Sequence, residues 1–312
     1  MASFPPLLSP GDTIALVAPA KYIEQNEGEL TARYLNSIGY KTVFSNNLYA
    51  KNGYLAGEDQ IRAANFTEAW CNPEIKMLWC VRGGFGSTRI LEYLDYKKLR
   101  SHHKILVGMS DITALHCALQ KELDIITYLG PMPYKLLITA GDAAEKEHSL
   151  KHLWSMIQGA YSLADHTLTS PHLTRTLVAG ISRGKLVGGN LSLIASLIGT
   201  PWQLETQGKI LLLEDVNEEP YRIDRMLRQL KQSGALQAPA GVILASWKGC
   251  AASSPSQSLT LDEIFDSYFK NESYPSFIGY PSGHTDAQLT LPLNAMVELN
   301  SNSYQINLID SY

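Results

Sequence analysis

Short apolar, β-branched runs alternate in the first half of the chain with longer stretches whose apolar positions recur at helical spacing. TIALVAPA (13–20), KTVFS (41–45), IKMLWCV (75–81), KILVGM (104–109) and IITYL (125–129) read as strands. Residues 25–38, 57–70, 87–94 and 111–123 read as amphipathic helices between them. This alternation predicts a doubly wound α/β domain, a parallel sheet covered by helices. Such sheets bind ligands beyond the carboxyl ends of their strands, so functional residues are expected directly after a strand.

From about residue 131 the pattern turns helical and then fades in the Ser/Thr/His-rich stretch ADHTLTSPHLTRT (164–176), which reads as a linker. A second series of strands and helices follows. GKLVGGN, KILLLEDV, GVILASW and SFIGYPSG are its strands, and helices are expected after GKLVGGN, over 221–232 and over 259–271. A hairpin turning at Asn300 to Asn302 closes the chain. The expected organisation is an N-terminal α/β domain (1–135), a helical segment and linker (136–182) and a smaller mixed α/β domain (183–312). No internal repeat is evident.

Composition narrows the function. With 26 Lys+Arg against 30 Asp+Glu, a net charge of -4 and no basic run, the chain has no electrostatic footprint for nucleic acid. No window approaches a membrane span, and MASFPPLLSPGD does not read as a secretory leader. The 4 cysteines (Cys71, Cys80, Cys117, Cys250) are far apart and form no CxxC pair, which fits buried packing in a cytoplasmic protein better than zinc or disulfides.

Three strand ends could carry chemistry. In KILVGMSDITALHCAL a strand runs through Gly108, Met109, Ser110 and Asp111 into a helix, the setting of a nucleophile elbow. The GxSxG pattern is incomplete because Ile112 stands at the final glycine, and the competing reading is that Ser110 or Asp111 caps the helix. CVRGGFGSTRIL places Gly83, Gly84 and Gly86 in a turn whose backbone N–H groups could hold an anion; it matches neither a dinucleotide nor a Walker loop. LLLEDVNEEP ends a strand at Glu214 and Asp215, and FIGYPSGHTD puts His284 after another. Together with Ser110 they supply a serine, carboxylate and histidine relay. His102 and His103 read as surface residues and His116 as helix packing.

These motifs resemble the LD-carboxypeptidase family, serine peptidases that include murein tetrapeptide carboxypeptidases and microcin C immunity peptidases. GDTIALVAPA, AGEDQIRAANFTEAW, RGGFGSTRIL, GMSDITALH, GKLVGGNLSLIASLIGTP, LLLEDVNEEPYRIDRML and GYPSGHTD occur in the family's order over nearly the whole chain. The resemblance implies Ser110 as nucleophile, His284 as general base and Glu214, ahead of Asp215, Glu218 and Glu219, as the orienting carboxylate. It also implies an oxyanion hole of the Gly84 and Asp111 N–H groups, a flavodoxin-like first domain, a second domain with a swivelling-type β-sheet, and a homodimer. A muropeptide is the expected substrate, with neither metal nor cofactor required.

Arg82, beside Gly83, is the candidate for a terminal carboxylate, against the reading of a structural ion pair. Ser110 and His284 come from different halves of the chain, so the site is expected between domains. Ala20, Phe85 and Met109 depart from the family's usual Ser, Tyr and aromatic residue, which bears on substrate contacts. An aminoacyl-nucleotide substrate would call for an aromatic platform, and of the 5 tryptophans only Trp247 falls near a strand-end rim. A noncatalytic peptide- or sugar-binding protein is the alternative of another class.

Overall fold

The computed structural model describes residues 2–160 and 174–309. The chain forms two compact units, Met1–Tyr161 with Asp286–Pro292, and Ser162–Thr285 with Leu293–Tyr312.

The first unit runs β1 (Thr13–Val17), α1 (Gln25–Ser37), β2 (Lys41–Phe44), α2 (Asp59–Cys71), β3 (Ile75–Cys80), α3 (Ser87–Ile90), α4 (Tyr96–Leu99), β4 (Ile105–Gly108), α5 (Thr113–Leu123), β5 (Thr127–Leu129) and α6 (Ala143–Ile157). β1 pairs in parallel with β2 and β3, β3 with β4, and β4 with β5. The order 2-1-3-4-5 is the flavodoxin-like doubly wound one. Its switch point lies between β1 and β3, at the exits that carry Lys21 and the glycine loop. β4 is buried along its whole length and β3 everywhere except Lys76. That is why both read as continuous apolar runs rather than alternating ones.

The second unit runs β6 (Arg175–Val178), β7 (Ile181–Asn190), α7 (Leu191–Ser196), β8 (Ile210–Val216), α8 (Pro220–Gln232), β9 (Gly241–Lys248), α9 (Leu261–Phe269) and β10 (Ser276–Ile278). After β11 (Leu291–Leu293), the last strand of the first unit's sheet, it closes with β12 (Met296–Asn300) and β13 (Gln305–Leu308). Its seven-stranded sheet has the order 13-12-7-8-9-10-6. β7 to β10 are parallel, while β6, β12 and β13 are antiparallel additions, so the sheet is mixed. α8 starts with a proline in its first turn and buries Ile223, Leu227 and Leu230, spaced as one face of a helix requires. Thr260 and Glu263 form a reciprocal capping box at the start of α9.

Several boundaries differ from the sequence expectation. Residues 164–173 of the expected linker lie outside the described residues, and Arg175 and Thr176 at its end open β6. SFIGYPSG is a strand only over Ser276–Ile278, after which the chain turns at Gly279 with φ +100°. No helix among the described residues is long and apolar enough to cross a membrane.

Candidate active site

In the first unit the candidate nucleophile sits where β4 ends. Ser110 has φ +61°, a left-handed conformation that costs a non-glycine residue about 1–2 kcal/mol and that presents a side chain at a sharp strand-to-helix turn. A single 3-10 turn over Ser110–Ile112 leads into α5. The capping reading does not hold for Asp111. Its Oδ2 accepts the Ser87 N–H at 2.8 Å, so the carboxylate serves the start of α3, not its own helix. The Ser87 hydroxyl returns a hydrogen bond to the Asp111 carbonyl. Burial pushes the Asp111 carboxyl above its ordinary range.

The glycine loop lies against this turn. A Cβ built on Gly83 would stand 3.0 Å from the Ser110 Cβ, 3.1 Å from its Oγ and 3.4 Å from the Asp111 nitrogen. Glycine therefore lets the loop backbone approach both the hydroxyl and one proposed oxyanion donor. At Gly84 such a Cβ would meet the Lys21 side chain at 3.1 Å, so the exit of β1 backs the loop from the other side. Arg82 makes no ion pair with a described residue; its guanidinium stacks 3.7 Å from the Tyr134 ring centroid. That contact replaces the structural ion pair as the alternative to carboxylate binding.

Behind Ser110, His116 of α5 is fully buried, with Nε2 3.0 Å from the Gly108 carbonyl and Nδ1 2.8 Å from the Thr127 hydroxyl. A carbonyl only accepts, so Nε2 carries the proton. Burial pulls the imidazole down to about 4, and it stays neutral.

In the second unit Glu214 and His284 meet. Glu214 is fully buried in β8, and its Oε2 accepts Nδ1–H of His284 at 2.7 Å and the His284 backbone N–H at 3.1 Å. The close approach depends on Gly283, which has φ +88°; a Cβ there would stand 2.5 Å from Glu214 Cγ and Oε2. Ser246 Oγ donates to the His284 carbonyl at 2.8 Å and steadies the loop. With Nδ1–H held by the carboxylate, Nε2 is left as the acceptor, the tautomer a general base needs.

The neighbouring Asp215 does other work. Its Oδ1 accepts from Asn190 Nδ2 and the Val216 N–H, and its Oδ2 from the Ser192 N–H and hydroxyl, all at 2.7 to 2.9 Å. It ties β8 to the start of α7. The β8–β9 register slips between Leu213 and Asp215, a local irregularity at the point where the two carboxylates part. Glu218 pairs with Arg222 at 3.5 Å, and Glu219 accepts the Ser253 N–H at 3.3 Å. Trp247 packs its ring 4.9 Å from Phe265, which makes it a packing residue and not a platform.

A serine at a strained strand-to-helix turn backed by a glycine loop, and a carboxylate-held imidazole, are parts that an acyl-transfer hydrolase uses. Family comparison agrees. Residues 14–130 match the LD-carboxypeptidase N-terminal domain and residues 183–299 the LD-carboxypeptidase C-terminal domain. The chain is 34% identical over 302 residues to a probable murein peptide carboxypeptidase of Bacillus subtilis, covering 95% of this chain and 91% of the relative. The solved structure of a muramoyltetrapeptide carboxypeptidase from Oxalobacter formigenes superposes with TM-score 0.80 at 30% identity, over 95% of this chain and 97% of that one. The fold is shared as well with MccF in complex with glutamyl sulfamoyl guanosine, at TM-score 0.88 and 21% identity over 99% of both chains. The chain belongs to the LD-carboxypeptidase family and is a peptidase.

Proposed function

We propose that this protein is a serine-type LD-carboxypeptidase that releases terminal D-Ala from a murein tetrapeptide during cell-wall recycling. What carries the reading is the hydrogen bond from His284 Nδ1 to the buried Glu214 at 2.7 Å, which leaves Nε2 free to accept a proton. In this mechanism the Ser110 hydroxyl gives its proton to His284 as Oγ attacks the carbonyl before D-Ala. The resulting oxyanion is held by the Gly84 and Asp111 N–H groups. The imidazolium, stabilised by Glu214, protonates the leaving D-Ala amine as the C–N bond breaks. His284 then takes a proton from water, which attacks the Ser110 ester and frees the tripeptide. Arg82 is assigned to the terminal carboxylate, with Gly83 beside it. A cytoplasmic homodimer completes the reading, and the dimer is checked by sedimentation.

Microcin-type aminoacyl nucleotides are the competing substrates, and Trp247 is unsuited to stack a nucleobase because it is packed on Phe265. The test is mass spectrometry of wild type and Ser110→Ala with L-Ala-D-Glu-meso-diaminopimelate-D-Ala and, in parallel, an aminoacyl sulfamoyl adenosine. D-Ala release by wild type alone is the expected result. Cleavage of only the nucleotide would overturn the substrate, and unchanged turnover by Ser110→Ala would overturn the serine mechanism. Binding without turnover by wild type would favour the noncatalytic alternative.

A further inference from the structure

Oxyanion donors lower a barrier only when they are already fixed where charge develops. A loop containing Gly83, Gly84 and Gly86 is soft by composition, so something outside it has to hold it. Its exit meets a buried charge. Arg62 of α2 is 1% exposed, and its guanidinium reaches three separate segments of the chain. Nη1 donates to the Gly86 carbonyl at 2.8 Å and also to the Pro19 carbonyl after β1, while Nε donates to the Gly57 carbonyl at 3.3 Å. Nη2 pairs with Asp59.

Asp59 in turn is gripped by Arg89 of α3, through Nε at 3.0 and 2.9 Å and Nη2 at 2.8 Å. The start of α2 is thereby tied twice to the chain leaving the glycine loop. Gly86 is shaped for this contact: it has φ +132°, and a Cβ would stand 2.9 Å from Arg62 Nη1. The loop exit is held on its other flank by Asp111, through the Ser87 N–H.

Burying a guanidinium is costly unless its donors are satisfied. Here most of its donors go to backbone carbonyls around the switch point of the sheet. We propose, resting on the reading of Ser110 as nucleophile, that Arg62 is a positioning residue: it clamps the exits of β1 and of the glycine loop so that the Gly84 N–H is fixed for the oxyanion. It acts through the loop and never touches substrate. Lysine cannot replace it, because an ammonium lacks the planar fork that spans these carbonyls.

The test compares Arg62→Lys and Arg62→Ala with wild type and with Leu99→Ala. Leu99 is a fully buried residue at the end of α4, before β4 and so at the opposite end of that strand from Ser110. Four quantities are measured: the rate of Ser110 phosphonylation by a fluorophosphonate, kcat and KM on the tetrapeptide, and the unfolding midpoint. Both Arg62 variants are expected to lose about 100-fold in phosphonylation rate and kcat, with KM within about threefold. Leu99→Ala is expected to keep both rates despite a comparable fall in midpoint. Millimolar methylguanidinium should restore part of the rate in Arg62→Ala; if that variant does not fold, Arg62→Lys decides.

Wild-type rates in a folded Arg62 variant, or rates that fall with the midpoint in Leu99→Ala as well, overturn the proposal. Phosphonylation of wild type without D-Ala release overturns the substrate reading while the Arg62 comparison still stands. A wild type that is not phosphonylated at Ser110 overturns both.

Discussion

Glu214 offers one carboxylate oxygen to both nitrogen donors of His284, whereas Asp215 engages both of its oxygens with backbone and side-chain donors of β7, β8 and α7. The two residues adjoin in sequence, yet replacing them should move different observables. Glu214→Gln keeps the shape but no longer stabilises an imidazolium and can stabilise the wrong tautomer. A fall in kcat of about 10⁴-fold is expected, with little change in unfolding midpoint. Asp215→Ala removes the acceptor that Asn190 Nδ2 and the Ser192 N–H use. It should cost about 3 kcal/mol in denaturant unfolding and leave kcat within about tenfold of wild type. The assignment is wrong if the two phenotypes exchange. Gly283→Ala belongs with the first, because its Cβ would displace the Glu214 carboxylate.

At the scale of elements, α5 holds the end of β4 through His116, and this joint should be visible in the pH dependence of stability. An unfolded imidazole titrates near 6.5, and the buried one only near 4. As pH falls from 6.5 towards 4 the unfolded chain takes up a proton that the native chain refuses. The contribution of His116 is therefore complete above 6.5 and shrinks by roughly 3 kcal/mol across that window. Denaturant midpoints of His116→Gln should decline less steeply than wild type between these pH values; parallel declines would refute the joint. His116 was readable in the sequence as helix packing, and β1 to β5 as strands, because each is a concentrated local signal, an apolar run between polar breaks or a histidine on an apolar face. The turn at Ser110 was readable for the same reason. β11 was not: Leu291–Leu293 is too short to show a period, includes Pro292, and joins its sheet through tertiary pairing. Arg62 was equally hidden, since an arginine within an amphipathic helix reads as solvent-facing until the carbonyls around it are known. Asp111 looked like a cap for its own helix because the helix it serves, α3, starts 24 residues earlier in the chain.

At the scale of the molecule, the proposed chemistry draws on both compact units. Ser110, the glycine loop and Arg62 belong to the first, Glu214 and His284 to the second, and the chain returns to the first unit at Asp286, two residues beyond the imidazole. If a nucleophile from one unit and a base from the other act on a single carbonyl, their removal cannot be independent. Groups that operate as one device lose nearly all of its effect with the first deletion, whereas groups serving separate steps lose in proportion. Ser110→Ala and His284→Ala should each lower kcat/KM for the tetrapeptide by about 10⁶-fold, and the double variant should fall within about tenfold of the weaker single one. The measurement is a double-mutant cycle on full-length protein, with residual D-Ala release followed by mass spectrometry. Losses that multiply would mean that the two residues do not share a transition state, and the proposed serine relay would have to be abandoned.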